Sequence, residues 1–579
     1  MYGKYLLLTW LTWLAHGRGE DLTIDLGYEK YTGFRVESSG LNIWKGIRYA
    51  APPVGELRFR GPVKPETTGE TIQADNFGAP CLQTLAAGNN TPNIPPPTGT
   101  PDQDCLFVNV YAPSEARDLP VYVYIHGGGY GQGDGSYDLS TLISANDNGF
   151  LGVAFNYRLG AFGFLSSEDV KANGTLNAGL LDQRFALEWI QENIHLFGGD
   201  KSRVTIYGIS AGGGSVMLQL HSAMANGGVE GTKFFENAMA SSPYLPRQYN
   251  YNDDFPTHLY DQFVNRTGCR GELDKLSCLR GRDMDVLQRA NIDVTNTGAY
   301  GTWSFAPVTD GSLIQYTPYT QLLEQKVVNG RNMWTSHNAD ESPFFVPNNI
   351  TTLEALTSFL KVSFPRFDDA DIASILEIYP LSEYGKNLDN PRFATAGDSG
   401  PTAVDVSQFA IGNQQRAYAI YAEATYQCTS YILATAYSTD SSKSSYLHTY
   451  TNPPALHGYD VSAYLGPASS TQGPEFVKIW QEAWGAYITT GSPRVPGELA
   501  NNSSSEVLSR WPKWGNSRML NFNQTGGTPA TENYWSKNIT VHYEPGLKNA
   551  FREVDAETWE GGRGKRCEFW KRIAPKVPM

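Results

Sequence analysis

Val204-Thr205-Ile206-Tyr207-Gly208-Ile209-Ser210-Ala211-Gly212-Gly213-Gly214 is the stretch that decides the fold. Its first four residues are β-branched or aromatic and read as a buried strand. The run from Ser215 to His221 that follows the glycines reads as a helix. A G-x-S-x-G turn between strand and helix holds its serine on a strained backbone, with the hydroxyl exposed at the sheet edge. Gly208 and Gly212 give strand and helix room to approach each other. The helix N-terminus beneath Ser210 favours negative charge developing nearby. Ser210 is therefore the candidate nucleophile.

Working upstream, Val121 to Ile125 reads as a second buried strand and ends in His126-Gly127-Gly128-Gly129. Glycines after a strand leave amides uncovered by side chains, which suits donors that must reach a developing oxyanion. Gly128, Gly129 and Ala211 are the candidate oxyanion donors; His126 is read as ordering the loop. Leu106 to Tyr111 and Leu151 to Tyr157 complete a set of strands apolar enough to be buried on both faces. Gly179 to Asn193 reads as a helix stopped by Gly198-Gly199. Strands alternating with helices predict an α/β fold, a large mostly parallel central sheet flanked by helices. No repeat or linker follows residue 105, so one catalytic domain over residues 20–579 is expected.

The N-terminus has one lysine, about ten apolar residues from Tyr5 and a small-residue exit, the pattern of a secretory signal peptide over residues 1–19. Eight Asn-x-Ser/Thr sequons point the same way: Asn89, Asn173, Asn265, Asn349, Asn501, Asn502, Asn523 and Asn538. Six cysteines, an even number, group by spacing as Cys81 with Cys105 and Cys269 with Cys278, leaving Cys428 and Cys567 as a candidate pair across the fold. Sequence alone leaves the connectivity open. No C-x-x-C pair suggests zinc or redox chemistry. A formal charge of -14 argues against nucleic acid or an anionic membrane as the main partner. No apolar run is long enough to span a bilayer, and the basic, polar Gly561 to Met579 carries no lipid-anchor signal. Neutral or cationic small molecules remain as partners, and the oligomeric state is open.

A nucleophilic serine needs a base, and the base needs a carboxylate to hold its tautomer. In this strand order the acid follows the serine and the histidine follows the acid. Of His337, His448, His457 and His542, His448 sits in the strand-like Tyr446 to Tyr450, whereas His457 lies in a loop after Pro453-Pro454 and before Gly458, and so leads. Asp310, Asp340, Glu341 and Asp398 all precede it, and spacing does not choose among them.

At this point the chain resembles a known family, the type-B carboxylesterases, which includes cholinesterases and fungal lipases, and within it secreted fungal members. The resemblance covers nearly the whole mature chain. It rests on Gln103-Asp104-Cys105-Leu106-Phe107-Val108-Asn109-Val110, His126-Gly127-Gly128-Gly129, Asn156 to Phe164, Asn177 to Gln183, and Phe197-Gly198-Gly199-Asp200 leading to the serine turn. It implies the α/β-hydrolase fold and settles the acid: the family's glutamate follows an Asn-x-Asp stretch, matched by Asn338-Ala339-Asp340-Glu341. Its His-Gly segment is matched by His457-Gly458, and its two small disulfide loops by Cys81 to Cys105 and Cys269 to Cys278. Two departures narrow the substrate. Ile209 stands where the family usually has glutamate, and the first disulfide loop holds no aromatic residue, so cholinesterase activity is not expected.

The expected function is a secreted, extracellular serine carboxylesterase acting through an acyl-enzyme with Ser210, His457 and Glu341, without metal or cofactor. A lipase with a lid and broad groove is one alternative. A catalytically inactive adhesion protein of the same fold is the other.

Overall fold

In the computed structural model the described residues are 21–88, 96–225, 234–324, 329–381, 407–438, 441–495, 504–534 and 537–576, with 397, 402 and 404. The expected signal peptide, Asn89, Asn501, Asn502 and Asp398 lie outside them.

Eleven strands form the central sheet: β1 Phe34–Val36, β2 Leu41–Arg48, β3 Phe107–Pro113, β4 Leu119–Ile125, β5 Leu151–Phe155, β6 Gly199–Ile209, β7 Asn237–Ser241, β8 Asn332–Asn338, β9 Ser444–Tyr450, β10 Arg518–Phe522 and β11 Arg552–Asp555. Their spatial order is β11-β10-β9-β8-β7-β6-β4-β5-β3-β2-β1. Strands β4 to β10 run parallel, whereas β11 at one edge and β3, β2 and β1 at the other pair antiparallel. The mostly parallel sheet of the α/β-hydrolase fold is therefore present, and its departures from a strict strand-helix alternation lie toward its two edges. The short turn between β3 and β4 holds no helix. A parallel crossover needs a dozen or more residues, so a short turn forces β3 to run against β4.

Alternation along β4 shows how the sheet holds two cores. Val121, Val123 and Ile125 join one apolar cluster and Tyr122 and Tyr124 the other, all buried. Helices α1 (Ala178–Asn193) and α2 (Ala211–Ala225) contribute to the first. Helix α6 (Pro474–Thr490) covers the second with Trp480, Trp484 and Tyr487, and Tyr464 stacks on Trp484 at 3.9 Å. Burying each Val, Leu or Phe side chain contributes roughly 1.5–3 kcal/mol.

Three further helices matter for the site. α4 (Gly412–Ala422) passes into one π-helical turn, Glu423–Gln427, and on into α5 (Cys428–Ser438), while α3 (Leu353–Ser363) lies against α4. The C-terminal α7 (Trp559–Ile573) docks behind the π turn. The basic Gly561 to Met579 stretch is thus mostly structural: Arg563, Arg566, Cys567 and Trp570 are all buried. Disulfides join Cys81 to Cys105, Cys269 to Cys278, and Cys428 to Cys567. No described helix is long and apolar enough to cross a membrane.

Candidate active site

The serine turn forms because neighbouring backbones come too close for any side chain. A Cβ on Gly208 would lie 2.2 Å from the Gly212 backbone, and one on Gly212 would lie 2.1 Å from the Ile125 carbonyl. Ser210 itself has φ +58°, the left-handed region. Such a conformation costs on the order of 1–3 kcal/mol and persists only where the surroundings over-determine it. Here they do: the Ser210 amide donates to the Ser241 carbonyl (3.0 Å), and its carbonyl accepts from the Gly214 (2.8 Å) and Tyr244 (2.9 Å) amides. The half-buried Ser210 hydroxyl stands at the C-terminal edge of the sheet, at the start of α2.

The glycines after β4 lie against this turn. A Cβ on Gly127 would approach the Ile209 carbonyl to 2.6 Å and the Ser210 Cβ to 3.1 Å. Gly128 (φ +103°) and Gly129 (φ +63°) curl the loop. A Cβ on Gly129 would strike Trp303 at 2.0 Å. Among the described residues the Gly128 and Gly129 amides donate to no protein acceptor. The Ala211 amide opens α2, where first-turn amides have no intrahelical acceptor. These three amides remain the candidate oxyanion donors. His126 stacks on Tyr157 at 4.3 Å, and its Nδ1 lies 2.9 Å from the Gly127 carbonyl. Burial holds its imidazole down at about 4, a neutral ring that shapes the loop.

Of the four histidines considered, His457 is the one against a carboxylate: its Nδ1 lies 2.6 Å from Glu341 Oε2. The other carboxylate oxygen, Oε1, accepts from Ser242 Oγ (2.7 Å) and the Asn338 amide (2.6 Å), at the ends of β7 and β8. Glu341 is wholly buried. Backbone pairing of Asp340 with Ala455 (2.9 Å) joins the acid's loop to the histidine's. A Cβ on Gly458 would lie 3.9 Å from Ile209 Cδ1, which sets the His457 loop beside the serine turn. His457 Nε2 is buried with no hydrogen-bond partner, Ser210 included, in this structure. His448 accepts from Trp334 Nε1 (2.8 Å) inside the core, where burial holds it down to about 3. His337 sits between Ser430 and Arg563, and His542 lies in the hairpin Gln524–Tyr534 and Lys537–Asn549. Asp310 accepts from Asn177 Nδ2 (2.7 Å) and caps a turn instead of meeting a histidine. Asp340 is buried, and burial, then Glu560 and Glu341, pushes its carboxyl well above the usual range.

Residues that sequence reasoning missed complete the surroundings. Ser242 anchors Glu341, and Asp460 accepts from Asn338 Nδ2 at 3.1 Å; burial pushes the Asp460 carboxyl up to about 6. The Tyr426 and Phe345 rings lie 4.6 and 5.1 Å from the His457 ring. Gln427 Nε2 donates to the Asn338 (2.9 Å) and Ala339 (3.2 Å) carbonyls. A cavity of about 410 Å³ adjoins the site, with Tyr244, Trp303 and Phe345 as shared walls. Ser242 had a local signal, a second serine directly after a strand; Tyr426 had none, because a π turn has no sequence pattern of its own.

Of the five described sequons, Asn173, Asn265, Asn349 and Asn538 are exposed and Asn523 half-buried. Among the described residues no cluster of metal-ligating side chains occurs.

Fold and site define the class: a serine elbow at the sheet edge of an α/β-hydrolase, with a histidine-carboxylate pair in the loops beside it, marks a serine ester hydrolase. The chain belongs to the carboxylesterase family, whose model matches residues 21–540. It is 34% identical to Lipase 4 of Diutina rugosa over 58% of this chain, and spans 65% of that lipase's length. It is 30% identical to Carboxylesterase patB of Penicillium expansum, covering 86% of this chain and 92% of patB. The crystal structure of Aspergillus niger EstA superposes with a TM-score of 0.77 at 27% identity, covering 96% of this chain and 99% of EstA.

Proposed function

We propose that this chain hydrolyses carboxylic esters of compact or aromatic groups by two-step acyl transfer, with Ser210 as nucleophile, His457 as base and Glu341 as its orienting acid. The observation that carries the reading is the buried His457-Glu341 pair at 2.6 Å, whose loop lies against the residue preceding Ser210. Nδ1 engaged by the carboxylate leaves Nε2 as the proton acceptor, and such contacts often close only when substrate is engaged. Deprotonated Ser210 attacks the ester carbonyl, the Gly128, Gly129 and Ala211 amides receive the oxyanion, and protonated His457 delivers its proton to the departing alcohol. Water, activated by the same imidazole, then releases the acid.

The product of this chemistry is made outside the cell. The N-terminal apolar leader, the exposed sequons and three disulfides support secretion, and relatives of this chain include secreted lipases. The catalytic domain is taken as residues 20–579.

Wild type and Ser210→Ala should be compared on p-nitrophenyl esters from acetate to palmitate. Expected are fast turnover of short esters, loss of at least roughly 10³-fold in kcat with Ser210→Ala, and an unchanged fold by circular dichroism. A rate maximum at palmitate transfers the reading to a lipase, which the likeness to Lipase 4 supports. Turnover surviving in Ser210→Ala sinks the nucleophile assignment.

A further inference from the structure

The cavity beside the serine turn has an uneven chemistry. Its walls are aromatic and aliphatic, among them Phe164, Tyr244, Tyr249, Trp303, Phe345 and Phe359. Of the described residues that line it, Arg247 alone carries a charge; no aspartate, glutamate or lysine does. That is unexpected in a chain of net charge -14, where 59 acidic residues face 45 basic ones. Half-buried Arg247 makes no ion pair among the described residues: its Nη1 donates to the Val362 carbonyl at 3.1 Å, and its guanidinium lies over the Phe255 ring at 5.4 Å. These contacts orient the fork and leave it without a counter-charge.

Arg247 is also tied to the reacting centre through the chain. The Tyr244 amide donates to the Ser210 carbonyl at 2.9 Å. Three residues span at most about 11 Å between Cα atoms, so the Arg247 Cα lies within about 11 Å of the Tyr244 Cα, which stands beside the serine turn. A guanidinium fork at the edge of an apolar chamber recognises a planar anion by paired N–H···O bonds.

We propose that Arg247 makes the cavity a specificity site for esters whose aromatic or compact apolar body carries a free carboxylate, held by the guanidinium while Ser210 attacks the ester carbonyl. This rests on the ester-hydrolase reading and names the substrate class of that site. A neutral ester of the same size fills the chamber without answering the charge. A carboxylate-bearing one neutralises it through paired, charge-assisted hydrogen bonds at the edge of the apolar chamber.

The test uses the full secreted protein and two matched pairs, p-nitrophenyl hydrogen adipate against p-nitrophenyl hexanoate, and para-carboxyphenyl acetate against phenyl acetate. The first puts the carboxylate in the acyl half and the second in the leaving half. In at least one pair the ratio of kcat/KM, anionic over neutral, is expected to fall roughly 10- to 100-fold in Arg247→Gln and to return only in part in Arg247→Lys, which keeps the charge without the fork. A second readout needs no variant: in wild type, 3-phenylpropionate should inhibit hydrolysis of phenyl acetate at least about tenfold more strongly than 3-phenylpropionamide. Equal inhibition by acid and amide overturns the proposal, as does an unchanged ratio in a folded Arg247→Gln. No turnover of any ester overturns the ester reading itself; turnover of the neutral members without dependence on Arg247 overturns only the carboxylate specificity.

Discussion

Asp460 is a buried acid that the acyl-transfer steps do not use. It accepts from Asn338 Nδ2 (3.1 Å) and Tyr464 Oη (3.3 Å), and Asn338 also donates its amide to Glu341. Burial lifts its carboxyl to about 6, with Glu341 adding to the rise while the Asn338 hydrogen bond opposes it. An acid whose folded pKa lies above its unfolded value binds an extra proton in the folded state between the two. Stability is therefore fullest below the unfolded value and falls as pH rises through the folded one. A rise of that size corresponds to about 3 kcal/mol between roughly pH 4 and pH 7. Asp460→Asn removes that ionisation. Urea unfolding at the two pH values should show wild type losing more stability than the variant on going to neutral pH. Identical pH dependence would clear Asp460 of the effect.

At the scale of elements, the π turn Glu423–Gln427 links the site to the C-terminal helix. One end sets Tyr426 against His457 and Gln427 on the carbonyls leading to Glu341. The other end, Glu423, is gripped by Arg566 at 2.7 and 2.8 Å, by Arg563 at 3.3 Å and by Tyr379 at 2.6 Å. Burial alone would raise Glu423, but Arg566 outweighs it and holds the carboxyl below its ordinary value. Removing one partner of such a pair leaves a buried charge uncompensated, which costs about 3–5 kcal/mol. Arg566→Met should therefore destabilise strongly in denaturant titrations, and adding Glu423→Leu should restore part of the loss. A double variant as unstable as the sum of two singles would show the groups uncoupled.

The same turn shows what sequence conveys and what it does not. The serine elbow and the glycine loop were legible because their geometry is set within a few residues: Gly208 and Gly212 collide if substituted, and β4 and β6 are plain apolar strands. His457 stood out by its place in a loop after a strand. Glu341 did not stand out from Asp310 and Asp340 by its residues alone, since its partner is 116 positions away and the pairing follows from tertiary approach. Resemblance to a family supplied it. The direction of β3 was illegible because alternation marks a strand and not its sense. The role of Arg563 and Arg566 inside the basic, polar C-terminal stretch was illegible because their acid, Glu423, is 140 and 143 residues distant.

For the whole molecule, three disulfides close loops of very unequal length. They span 24, 9 and 139 residues, and none lies within another, so their effects on the unfolded chain add independently. Loop-closure entropy assigns about 3.5, about 2.6 and about 5 kcal/mol to them respectively. The longest, Cys428–Cys567, begins where the π turn ends and fastens α7 behind it, so one bond both limits the unfolded ensemble and holds the element that carries Tyr426. Replacing both of its cysteines with alanine should lower the unfolding free energy by more than the equivalent change at Cys269 and Cys278. Without that bond α7 is expected to come free before the sheet does, and esterase activity of the variant on heating should then fall below the fraction still folded by circular dichroism. If activity instead follows the global transition in the Cys428→Ala, Cys567→Ala protein, the C-terminal helix adds stability without positioning the site. If the short-loop variant loses more stability, local packing around Cys269 outweighs chain entropy.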